Sequence, residues 1–304
     1  MRIVITAANS ATGQAVLRQA LENGAAQNAL VAAVRSQRAA DQIRTLLGET
    51  ASGVRISYDD PASLDQALQG ATAIIHLAGI LVERPGSSLE QANVAPARSV
   101  VDAAKRCAIK KLVLVSATGA DEKSSNGYYR TKGQAEALVR SSGLCYTILR
   151  APLLLGPATE GGAALARNAR GPEAKLIGGG RHLQQPLDVG DLARAALAAA
   201  EPSVAPNRTL NVVGPVSLPE RELVERAART LGHEVRVRSI PKGLLSFALT
   251  VRRWFSGPGF SADAVEVITA DTRLDPGPAA AELGIRLTGI DEMIQNTLGS
   301  QRKT

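Results

Sequence analysis

Residues Arg2-Ile3-Val4-Ile5-Thr6-Ala7-Ala8-Asn9-Ser10-Ala11-Thr12-Gly13 open the chain with a β-branched run, a turn of small residues and a glycine. The run reads as a buried strand. From Gly13 onward Val16, Leu17, Ala20 and Leu21 keep helical spacing, with Gly24 as the stop. Strand, tight turn and helix make the first unit of a parallel sheet. In such a unit the backbone N–H groups at the helix start bind a pyrophosphate, and glycines let it approach closely. The three positions where glycine is expected hold Ala7, Ser10 and Gly13, and the helical phase makes Gly13 the third. Alanine and serine are small but tolerate positive φ poorly, so an altered turn is expected. The candidate phosphate-site residues are Ala7, Asn9, Ser10, Ala11, Thr12 and Gly13.

Strand and helix signals alternate from there. Leu30–Val34, Val54–Tyr58, Ala73–Leu77, Lys111–Val115 and Tyr146–Leu149 read as further strands. Between them helices are expected over 39–47, from the Asp60 cap to Gln69, over 89–106 and over 128–139. The pattern predicts an α/β fold, a doubly wound parallel sheet of Rossmann type. Residues 1–150 are expected to form a dinucleotide-binding core. Residues 151–304 read mostly as a smaller C-terminal substrate-binding subdomain, with 186–213 returning to the core.

Past residue 150 the pattern loosens. Gly156-Pro157 and Gly178-Gly179-Gly180 bound a poorly patterned segment placed over the cleft, followed by an alanine-rich helix ending near Glu201. A strand over 209–213, a helix over 218–231 with Pro219 in its first turn, and a strand over 235–240 come next. Gly243 to Phe255 is apolar with a basic end, and reads as the buried wall of a substrate pocket rather than a membrane contact. One last helix is expected from about Asp291.

Of the 304 residues 45% are apolar and 21% charged, ordinary for a globular protein; at 3% aromatic, the core must be built from aliphatic and small side chains. Cys107 and Cys145 lack metal-ligand spacing and read as reduced thiols. No signal sequence or bilayer-length apolar run is visible, so a cytoplasmic location is expected. Residues 201–304 hold 13 Lys/Arg against 12 Asp/Glu, which places +6 of the net +7 in the first 200 residues. No basic block is interleaved with aromatics, so a nucleic-acid partner is not expected.

Three features point to chemistry. Tyr128 and Lys132, four residues apart, share one helix face, where an ammonium would draw a phenol's pKa down from about 10 and fit it for proton transfer. Ser116 follows the fifth strand, at the carboxyl edge where ligands of open sheets bind, and could steady the same substrate oxygen. Arg35 stands where an acid would hold the ribose of NAD, and favours the 2′-phosphate of NADP over NAD.

Taken together, Ile74-Ile75-His76-Leu77-Ala78-Gly79, Asn93-Val94, Val115-Ser116, Tyr128 with Arg130 and Lys132, Glu136, Ile148-Leu149-Arg150 and Asp188-Val189-Gly190-Asp191 resemble the extended or atypical short-chain dehydrogenase/reductase superfamily. The nearest likeness is to its NmrA-like and complex-I-accessory-subunit-like branch. The resemblance implies that Leu77, Ala78 and Gly79 flank the middle of the cofactor and that Tyr58 lies at the adenine contact. It implies that Tyr128 and Lys132 reach the nicotinamide ribose, that Ser116 and Tyr128 face the substrate, and that Ala151 and Pro152 touch the nicotinamide amide. An NADP(H)-dependent oxidoreductase acting on a carbonyl or alcohol is expected, with a metal-free site. The alternatives are a non-catalytic NAD(P)H-binding redox sensor or assembly factor, and a nucleotide-sugar-type epimerase. The expected partner is a small-molecule substrate, and a homodimer or a membrane-complex association is compatible with the chain.

Overall fold

The structure, a computed structural model, describes residues 1–26, 29–47, 51–243, 245, 249 and 259–299. Ile3–Thr6 (β1) pairs in parallel with Leu30–Val34 (β2) on one side and Ala73–His76 (β4) on the other. Ala51–Arg55 (β3) extends the sheet beyond β2. Lys111–Ala117 (β5), Tyr146–Ala151 (β6) and the strand Arg208–Asn211 extend it beyond β4. All seven strands are parallel, and strand order reverses between β1 and β4, opening a crevice at their carboxyl ends.

Helices cover both faces because each strand of a parallel sheet buries side chains on both sides. Ala11–Glu22 (α1), Gln37–Leu47 (α2) and Val189–Ala199 (α7) close one apolar layer with Ile5, Val113 and Leu149. Pro61–Leu68 (α3), Ala95–Arg106 (α4) and Gly127–Arg140 (α5) close the other with Ile74, Leu112 and Leu114. Aliphatic side chains and alanine fill both layers, as the composition requires. A third core joins Glu160–Arg170 (α6), Glu173–Ile177 (β7), Glu220–Thr230 (α8) and the helix Ile290–Gly299. Both cysteines are free. Among the described residues no helix is long and apolar enough to cross a membrane.

Several elements depart from the sequence reading. The third strand is Ala51–Arg55, not 54–58: Gly53 passes within contact of the Ala40 carbonyl, and the Ser63 hydroxyl accepts from Ser57 N at 2.9 Å, turning the chain out of the sheet. The fifth strand runs on to Ala117, so Ser116 lies within it. The long helix before β5 opens as a π-turn, Glu90–Val94, with Pro96 at the start of α4. The loosely patterned 151–180 segment contains α6 and β7, and the helices Ala262–Ile268 and Gly277–Leu283 add to the elements the sequence predicts. Pro219 sits in a two-residue strand and α8 begins after it. Of the 243–255 pocket-wall reading only Gly243, Leu245 and Leu249 are described; the rest lies outside the described residues.

The turn after β1 keeps its shape without its first two glycines. Ala7 takes φ 50°, a left-handed conformation that costs a side-chain-bearing residue roughly 1–2 kcal/mol. Ser10 stays extended (φ −69°, ψ 163°) and caps α1, its hydroxyl accepting from Gly13 N at 3.0 Å. A Cβ on Gly13 would come within 2.6 Å of Ala8 Cα, so only glycine fits there.

A buried ion cluster fixes the position of α5. Glu136, fully buried, accepts from Arg150 Nε at 2.9 Å and from its Nη2 at 2.7 Å, and from Arg140 Nη1 at 2.9 Å. Arg150 Nη2 also donates to the Ala120 carbonyl at 2.8 Å. Burial works to raise the Glu136 carboxyl, but the bond from Arg150, the nearby Ser116 hydroxyl and the bond from Arg140 outweigh it and hold the group below its usual 4.5. Glu136→Gln leaves Arg150 without its counter-charge and should lower the unfolding free energy by about 3 kcal/mol in urea titrations at pH 7. A carboxyl with a depressed pKa contributes its full stability above the unfolded value and loses it as pH falls through the folded one. The wild-type advantage over the Gln variant should therefore shrink below pH 4.5. Ala7→Gly should relieve the left-handed strain and raise stability by about 1 kcal/mol in the same titration.

Candidate functional site

The β1–β4 crevice is bounded on one side by the Ala7–Gly13 turn and the start of α1, and on the other by Leu77, Ala78 and Gly79. Asn9 is exposed at the lip, while Ser10, Ala11 and Thr12 are half-buried along the turn. Arg35 and Arg38 are exposed just past β2, and Tyr58 is half-buried beyond β3. Burial raises the Tyr58 phenol, opposed by the Thr6 hydroxyl and the Arg35 charge. Ala151 ends β6 and holds Thr118 N at 3.0 Å, with Pro152 half-buried behind it. The structure thus brings the turn, Arg35, Tyr58, the 77–79 loop, Ala151 and Pro152 to one sheet edge.

α5 enters that edge through its N-terminus. Asn126 caps the helix, its carbonyl oxygen Oδ1 accepting from Tyr128 N at 3.1 Å. The Asp263 carboxylate accepts from Gly127 N at 2.7 Å, so the helix Ala262–Ile268 presses on the start of α5. An anion at this end also suits the helix dipole. Tyr128, Lys132 and Glu136 are spaced four apart and form one stripe on the inner face. Lys132 is buried, and its ammonium donates to the Val115 carbonyl at 2.9 Å. It also lies 3.4 Å from where a Cβ on Gly79 would stand. Burial lowers Lys132 to about 8, although the Glu136 charge favours its ionised form.

The phenol of Tyr128 does not show the expected depression. Burial raises it, and the neighbouring Tyr129, its ring 5.9 Å away, raises it further. Lys132 directs its ammonium at the strand carbonyl and exerts no lowering effect that competes with desolvation. Ser116 is paired in register with Arg150 and faces the α5 layer. Its hydroxyl is buried without a partner at ordinary hydrogen-bond distance, yet close enough to Glu136 to help hold that carboxylate ionised.

Three residues escaped the sequence reading or were left without a role by it. Thr6 and His76 end β1 and β4, and Thr6 Oγ1 lies 2.8 Å from His76 Nδ1 while accepting from Leu77 N at 3.2 Å. The signal available was a polar residue closing each of two buried strands that flank the switch point. Asn93 is a clamp: its Oδ1 accepts from Ile80 N at 2.8 Å and its Nδ2 donates to Ile80 O at 3.1 Å and to Thr131 Oγ1 at 3.0 Å. It fixes the loop after β4 to α5. Among the described residues no group of His, Cys, Asp and Glu could hold a metal ion.

Comparison with known proteins agrees with this architecture. Residues 7–178 match the NAD(P)H-binding family. A ceramide reductase of Caulobacter vibrioides is 28% identical over 198 residues, 64% of this chain and 62% of that protein, so the match spans less than two thirds of its length. A photosystem II assembly factor of Synechocystis is 23% identical over 98% of this chain and 91% of its own. The NADPH complex of a quinone oxidoreductase from Escherichia coli superposes with a TM-score of 0.74 at 20% identity, over 96% of this chain and 98% of that one. The chain belongs to the NAD(P)H-binding family, among the atypical, extended short-chain dehydrogenases/reductases.

Proposed function

We propose that the chain is an NADP(H)-dependent oxidoreductase that binds its cofactor in the β1–β4 crevice and acts on a carbonyl or alcohol substrate. The observation that carries this reading is the placing of Lys132: a buried ammonium at the carboxyl edge of β5, against Gly79, one helical turn from Tyr128. The cofactor, when bound, supplies or accepts the hydride. Two features fit such a group. Gly13 has no room for a Cβ beside the phosphate turn, and Gly79 carries no side chain between the crevice and Lys132.

In this reading the N–H groups from Ala7 to Gly13 hold the pyrophosphate and Arg35 meets the 2′-phosphate. Tyr58 lies on the adenine side, Leu77, Ala78 and Gly79 line the middle, and Ala151 and Pro152 flank the nicotinamide amide. Lys132 holds the nicotinamide ribose. Tyr128, kept protonated by burial, donates its proton to a substrate oxygen during reduction and recovers it afterwards. The Ser116 hydroxyl, buried beside Glu136, orients that oxygen. A cytoplasmic location and a small-molecule substrate complete the proposal.

One observation favours a second reading. The assembly factor of Synechocystis matches this chain almost end to end, and a non-catalytic NAD(P)H-binding role would need the crevice but not the Tyr128 hydroxyl.

Thermal melts with NADPH at 100 times its dissociation constant should show about 2.7 kcal/mol of added stability, and NADH much less. Arg35→Ala should remove most of that difference by weakening NADPH alone; equal shifts with both cofactors in the wild type would refute the 2′-phosphate assignment. Tyr128→Phe should bind NADPH as the wild type does, yet oxidise it at least a hundredfold more slowly with a panel of ketones and a soluble quinone. If the wild type turns over none of these, and Tyr128→Phe still supports growth in a strain dependent on this protein, the assembly reading replaces the enzyme.

A further inference from the structure

His76 is a buried titratable group for which the mechanism above has no use. It is 1% exposed, and it is paired in register with Leu114 of β5. Ile74, two residues earlier, faces the α3–α4–α5 layer, so His76 points into that layer too. Lys132 arrives in the same layer from α5 and sets its ammonium on the carbonyl of Val115, the residue after Leu114. The imidazole and the ammonium are therefore neighbours at the sheet edge.

The ring's two nitrogens have different surroundings. Nδ1 is held by Thr6 of β1 at 2.8 Å. Nε2 is buried with no partner. Two tautomers satisfy the Thr6 contact. One places an N–H at Nε2, an unpartnered donor beside a positive charge. The other donates from Nδ1 to Thr6 Oγ1 and leaves a lone pair at Nε2, which the nearby cation favours. Thr6 Oγ1, with two lone pairs, can accept from both Nδ1 and Leu77 N. Burial, and then the Lys132 charge, drive His76 down to about 3, so it is neutral throughout the working range.

We propose that His76 is a positioning residue for Lys132, its Nε2 lone pair accepting from one buried water that in turn accepts from the Lys132 ammonium. The proposal rests on the reading in which Lys132 serves the nicotinamide ribose. The ammonium has three donors and Val115 O takes one, leaving donors for a water and for the ribose. Gly79 lacks a side chain and so leaves space beside the ammonium. The other titratable groups around the pair are Glu136 and Tyr128 on α5, and Tyr58, whose ring meets His76 edge-on at 6.2 Å with Arg35 beyond it. None of them supplies a lone pair at the position of Nε2.

The test follows the Lys132 ammonium directly, by NMR titration of the full chain labelled with 15N-lysine, with Lys132→Arg to assign the signal. His76→Phe removes the acceptor. His76→Asn places an amide where Nδ1 stands but does not reach Nε2, and His76→Gln places one where Nε2 stands. In the Phe and Asn variants the Lys132 midpoint, about 8 in the wild type, should fall by about one unit, a tenfold easier deprotonation. In the Gln variant it should stay near the wild-type value. If the Phe variant fails to fold, the Asn and Gln pair decides. An unchanged midpoint in the Asn variant overturns the proposal. Fluorescence titration of the wild type with NADPH is scored separately: absence of binding sinks the proposed function, whereas binding with an unmoved Lys132 midpoint sinks only the role given to His76.

Discussion

The Glu136 carboxylate sets the geometry on which the site depends. It is buried and gripped by two arginines, one from β6 and one from its own helix. The two-pronged bond to Arg150 fixes the rotation of α5 about its axis as well as its distance from the sheet. Lys132 and Tyr128 lie one and two turns up the same stripe, so the rotation that satisfies Glu136 also sets the ammonium on the Val115 carbonyl of β5. A slip of one residue would turn all three side chains by about 100° and leave a carboxylate facing apolar wall. The desolvation cost of that error helps make the observed placement unique.

Desolvation is also what Lys132 and Tyr128 share. It favours the neutral form of each, lowering the ammonium and raising the phenol. A chain arranged this way holds Tyr128 as a proton donor by default. Any shift towards phenolate requires added positive field or hydrogen bonding at the edge of the sheet. The neighbouring Tyr129 carries the same bias: burial raises its phenol, and the Glu266 charge on the helix Ala262–Ile268 raises it further.

The central strands were legible in the sequence because they are short, largely apolar runs separated by helices of regular spacing, whereas the third, Ala51–Arg55, has too few apolar residues to fix its place. Gly13 could be placed from helical phase alone, and the close contact with Ala8 shows why no other residue fits. A side chain at position 7 predicts a disturbed turn; the chain keeps the turn and tolerates the strain. The spacing of Tyr128 and Lys132 gave their common face but not their electrostatics, since burial is a tertiary property. Ser116 shows the same limit. Its position near the end of a strand was visible, while its facing towards Glu136 depends on where that strand stops. The region after residue 150 resisted reading because α6 is rich in alanine and glycine, which blur periodicity, and because two helices of seven residues carry too few apolar positions to show a phase.

The described residues from Gly277 to Gly299 do not stay with one core. Gly277–Leu283 packs Ala279 and Leu283 against the layer of α1 and α7, and Thr288 then bonds the buried Asp191 of α7 through its backbone N–H and its hydroxyl, both at 2.7 Å. Ile290–Gly299 at once crosses into the third core with Met293 and Ile294. α7 makes the opposite excursion, returning to the sheet between two segments that belong to the third core. The chain is thus laced rather than divided. No single cut separates a self-sufficient sheet domain from the remainder, so exchanging the third core between relatives would require several matched crossovers, and heating should melt both parts in one cooperative step.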